Sequence, residues 1–498
     1  EIESGEKGDR LRVERLLISE FGQEFMRGGD LACVDRSLKA GHGSIVVAAV
    51  DGQMSCKRLV IDGNVARLAF CNPDLPAFAV DELGVAGFAS IVGWGPAVTL
   101  MATEPASAMA NLDLAVIPLF MLMGEFLAKC GAARDLFALT NRLTQKIPGR
   151  LGIATVLANA VFAFVTGVSI AAAAAFSRIA YPEMKRYGYD RKFALGCIAG
   201  SACLGMLIPP SVLMIVWGVL TEQAIGKIFI AGIIPGFILV FFYCAYIIGA
   251  SYLKPELVGA GTKLAQVQSE VEISDAEFRE LLISTGLVFL LVGITLGGIW
   301  LGFFTPTEGA GVGAALALLL AMWKRMKPKE LFEVILSVGR TSAPLLILLF
   351  CAQLYSRVLS MTGITGMAKE FFLTSGLGIW GVLAVMVLIW FILGMLIDSI
   401  SIILLTVPVF APVAAALGMD PLAFAILGIL AIETGLLTPP FGILVFTVKA
   451  ALPQEASLGD IFKGCVPYWI CLLCVIVVIA AFPQFATWLP NLGNVVAK

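Results

Sequence analysis

The chain has 498 residues, of which 59% are hydrophobic and only 14% charged, with a formal net charge of −2 and a mean hydropathy of +0.93. Such a composition excludes an ordinary water-soluble fold and describes a polytopic membrane protein. The net charge says nothing about partners, no nucleic-acid partner is expected, and the single histidine, His42, argues against a histidine metal site.

In chain order, residues 1–92 are charged, alternate in a β-like way and carry turn signals, so they read as a small β-rich soluble segment. Segment 83–103, Gly-rich and interrupted by Pro96, is a candidate early contact with the membrane. Apolar stretches close to the ~20 residues that span a bilayer lie at 112–130, 228–252, 281–303, 306–323, 342–358 and 464–490. Segment 133–150, apolar on one side with Arg134, Arg142 and Lys146 between, predicts an interfacial helix. Segments 151–186 and 377–418 are long apolar runs with polar residues at the centre, which predicts hairpins that enter the membrane and turn back. The only CxxC, Cys471 to Cys474, sits in a purely apolar run where a thiol stays protonated and inert.

Two strings stand out, GMLIPPS at Gly205–Ser211 and GLLTPPFG at Gly435–Gly442. A shift of 230 residues takes Gly205, Pro209 and Pro210 onto Gly435, Pro439 and Pro440. The same shift takes Ser169 onto Ser399, Pro182 onto Pro412, Gly188 onto Gly418 and Asp190 onto Asp420. A proline inside a helix removes a backbone donor and costs about 3 kcal/mol, and hydrocarbon offers the freed carbonyls no water. Breaks of this kind persist where they line a polar cavity, and an internal repeat with a broken helix in each copy is the mark of a secondary transporter. The repeats run over 112–222 and 342–452.

Charge sets the expected orientation. Arg142, Lys146, Arg150, Lys185, Arg186, Arg191 and Lys192 flank the first hairpin, whereas the second has only Lys369 nearby and then Asp420. The positive-inside rule therefore opens the first hairpin from the cytoplasm and the second from outside, and counting spans puts Lys324, Arg325, Lys327 and Lys329 in the cytoplasm. The acidic segment 254–280 becomes a cytoplasmic connector. The resulting fold class is an all-α polytopic membrane protein of inverted repeats, with two re-entrant hairpins and two broken helices, preceded by the β-rich segment.

The hairpin tips hold the polar groups: Thr166, Gly167 and Ser169 in the first, Gly394, Asp398, Ser399 and Ser401 in the second. Each tip can meet the break of the next helix. Hydroxyls and unpaired carbonyls suit a small hard cation such as Na⁺, and Asp398, ionisable inside the membrane, is a functional candidate or else a carboxylate that escapes to water. Glu433, one turn before the second break, and Glu125 and Glu308 are weaker candidates; Gly167, Ser399, Glu433 and Pro439 are candidates for lining the substrate cavity. With no nucleotide-binding motif, transport must draw on an ion gradient or a partner protein.

From about residue 97 to 490 the chain resembles the large membrane subunit of TRAP (tripartite ATP-independent periplasmic) transporters, the DctM-like proteins. The strings that carry the resemblance are IPLFMLMGEFLAKCG, GMLIPPS, IFIAGIIPG, GFFTPTEGAGVGA, GMLIDSISIILLTVPVFAPVAAALGMDP and GLLTPPFG. The resemblance implies an elevator-type carrier of the bacterial inner membrane, coupled to Na⁺, with a small four-helix membrane subunit and a periplasmic binding protein that delivers an organic acid. It implies one Na⁺ site from Thr166, Ser169, Gly205, Ile208 and Pro210 and a second from Gly394, Asp398, Gly435 and Thr438. Val168 departs from the serine-rich first tip of the family and removes one possible ligand.

The run GDLACVDRSLKAGHGSIVVAAVDGQMSCKRLVIDG, continuing through CNPDLPAFAV, resembles the peptidase domain of LexA and UmuD-type proteins. Lys57 matches the lysine of that family, but Phe25 stands where its serine nucleophile is expected, so no catalytic residue is assigned and 1–92 reads as an inactive remnant joined to a membrane domain at 93–498. Alongside the TRAP-type reading stand a binding-protein-independent carboxylate carrier and a membrane-tethered Ser/Lys peptidase.

Overall fold

A computed structural model describes residues 45–50, 53–62, 65–70, 112–259 and 275–496. The chain divides into two compact units, Glu1–Glu104 and Pro105–Lys498. In the first, β1 (Ile45–Val50), β2 (Gln53–Asp62) and β3 (Val65–Phe70) form an antiparallel sheet in the order β1-β2-β3. Lys57 lies on β2 opposite Val46 and Phe70; Phe25, His42 and segment 83–103 lie outside the described residues.

Every element described in the second unit is helical. After a 3₁₀ turn at Leu112–Ala115 come α1 (Val116–Lys129) and α2 (Ala132–Leu143), bent by 63° at the break between them. The first hairpin is α3 (Arg150–Thr166) and α4 (Ser169–Arg186). The first broken helix is α5 (Arg191–Ala202), the single turn α6 (Leu204–Leu207) and α7 (Val212–Thr221). Then follow α8 (Ile225–Leu253), α9 (Asp275–Trp300), α10 (Pro306–Trp323), α11 (Pro328–Met361) and α12 (Ile364–Thr374). The second hairpin is α13 (Gly378–Gly394) and α14 (Ser399–Ala416), and the second broken helix is α15 (Pro421–Gly435) and α16 (Ile443–Ala451). α17 (Leu458–Ala481) and α18 (Gln484–Val496) complete it.

Among the described residues, seven helices are long and apolar enough to cross a membrane, with α5–α7 counted as one span, or eight if the bent pair α1–α2 is also one span. Large apolar side chains such as Phe241, Phe303 and Trp380 are more than half exposed. That arrangement suits lipid rather than water as the surrounding solvent. The chain is a multi-pass membrane protein.

Residues related by the 230-residue shift hold corresponding places. Asp190 caps α5 by accepting from Phe193 N at 2.9 Å, and Asp420 caps α15 by accepting from Ala423 N at 3.0 Å. Pro182 lies inside α4 and Pro412 inside α14. Both diproline pairs interrupt a helix, because Pro209 and Pro210 offer no N–H to Gly205 and Met206, nor Pro439 and Pro440 to Gly435 and Leu436.

Four boundaries differ from the sequence expectation. The apolar run 464–490 is two helices, since Phe482, ahead of Pro483, is extended at φ −132° and ψ 75°. α9 begins at Asp275, inside the expected connector, and α11 reaches back to Pro328 because charged residues at an interface extend a helix without apolar cost. The interfacial helix stops at Leu143, ahead of a turn that ends on Gly149 at φ 75°.

Packing between the elements is close. Trp217 of α7, Trp390 of α13, Phe410 of α14 and Phe424 of α15 form one aromatic cluster, with ring centroids 5.3–5.9 Å apart. Trp390 Nε1 donates to Thr406 Oγ1 at 2.8 Å, so the indole also ties the two arms of its own hairpin. This cluster joins the second hairpin and both broken helices into one packed body.

Candidate functional site

The first tip is a two-residue turn. Gly167 takes φ 61°, which a glycine adopts without strain, and Val168 is extended at φ −138°. The turn lies against the first helix break: Val212 N donates to Gly167 O at 3.2 Å, and a Cβ at Gly167 would collide with Pro210 O. Gly205 approaches the same turn closely, a Cβ there meeting Ser169 N at 3.0 Å. Thr166, Gly167, Ser169, Gly205, Ile208 and Pro210 are thus gathered in one place, all buried. Thr166 Oγ1 donates to Phe162 O at 3.1 Å, which leaves its lone pairs available.

At the second tip four residues, 395–398, join α13 to α14. Phe441 N donates to Met395 O at 3.3 Å, so this tip too is tied to the break of the helix that follows it. Gly394 and Gly435 meet backbone to backbone; a Cβ at Gly394 would lie 2.6 Å from Ile432 O and 2.9 Å from Gly435 Cα. Thr438 Oγ1 donates to Gly435 O at 2.8 Å. Asp398 is the N-cap of α14, accepting from Ser401 N at 3.0 Å and from Ser401 Oγ at 2.5 Å, and it is exposed. Gly394, Gly435 and Thr438 come together, while the hydrogen bonds of Asp398 run to its own helix. Pro439 is exposed.

Glu433 has the most unusual position. It is 1% exposed, and its two carboxylate oxygens divide between the hairpins: Ser169 Oγ donates to Oε2 at 2.8 Å and Ser399 Oγ donates to Oε1 at 3.4 Å. Cys203 Sγ reaches the Glu433 backbone O at 3.7 Å. Ser169 and Ser399 are mates under the 230-residue shift, and so are Cys203 and Glu433. Sequence reasoning ranks Glu433 low and passes over Cys203; the shift is the signal that could find both.

Of the other carboxylates, Glu308 has a local explanation. Glu308 completes a capping box with Thr305, donated to by Thr305 N at 2.8 Å. Glu125 is half-buried on α1, next to Gly124, where a Cβ would meet Thr166 Cα at 2.8 Å. A cavity of about 910 Å³ opens elsewhere, lined by Glu222, Lys227, Trp300, Gln353 and Arg357 among others, and the tip residues do not line it.

The family described as "Tripartite ATP-independent periplasmic transporter, DctM component" matches residues 65–485. The chain belongs to that family. Residues 23–94 match the Peptidase S24-like family as well, in keeping with the second resemblance. The C4-dicarboxylate TRAP transporter large permease protein DctM of Pseudomonas aeruginosa is 32% identical over 418 residues, covering 82% of this chain and 94% of that protein. The sialic acid TRAP transporter large permease protein SiaM of Vibrio cholerae is 28% identical, covering 79% and 90%. The ectoine TRAP transporter large permease protein TeaC of Halomonas elongata is 29% identical, covering 76% and 87%. These relatives are permease subunits rather than enzymes. Solved structures of the YdaH transporter of Alcanivorax borkumensis and of MtrF of Neisseria gonorrhoeae share the fold, with TM-scores of 0.56 and 0.55 at 14% identity, covering 87% and 86% of this chain and 93% and 88% of theirs.

Proposed function

We propose that the chain is the large membrane subunit of a Na⁺-coupled TRAP system that takes up a small organic acid across the bacterial inner membrane. The observation that carries this reading is the doubled junction of tip and break, Val212 N to Gly167 O and Phe441 N to Met395 O. Each junction collects hydroxyl and carbonyl oxygens beside a helix break, an all-oxygen set that fits a hard monovalent cation. The first would use Thr166, Ser169, Gly205, Ile208 and Pro210, and the second Gly394, Asp398, Gly435 and Thr438. The two hairpins and two broken helices form inverted repeats, over 112–222 and 342–452, and move as an elevator against the remaining helices. A cation descending the membrane potential supplies about 2.3 kcal/mol per charge per 100 mV, enough for two or more to drive a solute uphill.

The solutes in the names of the relatives, C4-dicarboxylates, sialic acid and ectoine, share a carboxylate, and that is the substrate class we assign. A small membrane subunit and a periplasmic binding protein complete the system. Residues 1–92 are a β-rich peptidase-like segment without catalytic activity, because in the sequence Phe25 replaces the expected nucleophile although Lys57 matches the lysine.

Uptake by proteoliposomes containing the three components tests the reading. Transport is expected only with an inward Na⁺ gradient, and Asp398→Ala and Thr438→Val are each expected to reduce it to background. Wild-type rates in both variants would remove the second ion site, and uptake without Na⁺ would remove the coupling.

A further inference from the structure

Glu433 is a carboxyl side chain in the interior of the fold, and the ion pairs Lys185–Glu455, Arg191–Asp460 and Lys324–Asp135 do not involve it. A buried carboxylate is costly unless charge or donors compensate it. Here the compensation comes from both hairpins at once. Ser169 is the first residue of α4 and Ser399 the first of α14, two helices of 18 residues each, so two positive helix ends and two hydroxyls converge on one carboxylate. A serine hydroxyl has one hydrogen and two lone pairs. When the hydrogen goes to Glu433, both lone pairs of each serine are left free to accept at the tip to which that serine belongs.

We propose that Glu433 is a positioning residue shared by the two tips: by taking one hydrogen from each of Ser169 and Ser399 it aims a lone pair of each serine at its own tip and joins the tips, so that cation binding at one assists binding at the other. The inference rests on the cation-coupled reading above and adds to it the element that links the two sites. Glu433 does not touch the cations; it acts through the serines, Ser169 as a ligand of the first site and Ser399 as a hydroxyl that this inference adds to the second. The repeat mate of Glu433, Cys203, cannot do the same, because a thiol offers neither a formal charge nor two strong acceptor oxygens. One carboxylate therefore serves both halves.

Thermal unfolding of the purified full-length chain against NaCl, with choline chloride keeping the ionic strength constant, tests this. The wild type is expected to be stabilised by Na⁺ specifically, with a Hill coefficient of about 2, the number of sites. Absence of a Na⁺-specific shift in the wild type overturns the cation reading and the linkage with it. Glu433→Gln keeps the shape but brings an amide that donates to one of the serines and takes up its lone pair. It is expected to raise the half-saturating Na⁺ concentration about tenfold, the effect of losing one hydrogen bond, and to bring the Hill coefficient towards 1. A folded Glu433→Gln with the wild-type Na⁺ response overturns the linkage and leaves the cation reading standing. Ser399→Ala, which removes one arm of the bridge, is read in the same assay if Glu433→Gln fails to fold; a Hill coefficient that stays near the wild-type value in it overturns the linkage as well.

Discussion

The two hairpin tips share a serine at the start of the second arm, Ser169 and Ser399, but differ in turn length and in how far the turn is covered. At the first, Thr166, Ser169 and Ser211 are 7%, 0% and 0% exposed, and α1 covers the turn through Gly124. At the second, Asp398, Pro439 and Pro440 are exposed and Phe441 is 54% exposed. The enclosed tip offers only neutral oxygens, and the open tip holds the carboxylate. Desolvation accounts for the difference, since a charge with no compensating partner costs several kcal/mol to bury. Glu433 departs from the pattern only because two helix ends and two hydroxyls surround it.

The comparison can be broken most severely at the backbone. Gly394→Val places a side chain against Ile432 O and Gly435 Cα, atoms that cannot move aside. It is expected to cost about 3 kcal/mol or more, read as loss of monodisperse protein, whereas Gly366→Val, with open space around it, is expected to leave the yield unchanged. The difference in exposure is testable next. In a background with Cys33, Cys56, Cys71 and the exposed Cys351 and Cys474 replaced by Ser, Asp398→Cys is expected to react with a water-soluble maleimide and Thr166→Cys to resist it. Equal rates would show that the two tips share one environment.

A smaller effect separates the two duties of Asp398. Asp398→Asn keeps a side-chain oxygen for the Ser401 N–H, so Na⁺-free stability should match the wild type while uptake falls; Asp398→Ala should lose about 1 kcal/mol of stability as well. The smallest effect belongs to the exposed Lys185–Glu455 pair, 2.7 Å long, which ties the first hairpin to the loop after α16. The hydrogen bond from Lys185 holds the Glu455 carboxyl below its usual value, and the same bond raises Lys185. The contribution of Glu455 is therefore complete above the ordinary carboxyl value and disappears as the pH falls through the lowered one. That of Lys185 is complete below the ordinary ammonium value and disappears as the pH rises through the raised one. Both losses should be slight and smaller still in high salt, and a Lys185→Ala protein with a pH profile of stability identical to the wild type would assign the pair no role.

Much of the helix plan was legible because prolines and chain-length limits act locally. Pro209, Pro210, Pro439 and Pro440 remove donors wherever they fall, so both breaks could be placed from the letters alone. The turn at Phe482–Pro483 follows the same rule and was hidden only by the continuous hydrophobicity around it. Gathering Thr166 and Ser169 with Gly205 and Pro210 depended on the family motif, but the meeting of tip and break follows from an apolar hairpin whose polar centre must find partners. Glu433 was not legible in the same way. A glutamate one turn before a break looks like any helix carboxylate until the residues at its oxygens are known.

The sequence by itself determined which segments are helical, where two of them break and that the chain resides in a membrane, because these follow from backbone donors, side-chain volumes and transfer from water, all properties of neighbouring residues. Only the tertiary structure decided that Asp398 faces outward as a cap, that the first tip is enclosed, and that one carboxylate lies between serines 230 residues apart. Those outcomes depend on which surfaces meet in space, and the solvation of a charge is set by everything around it rather than by its place in the chain.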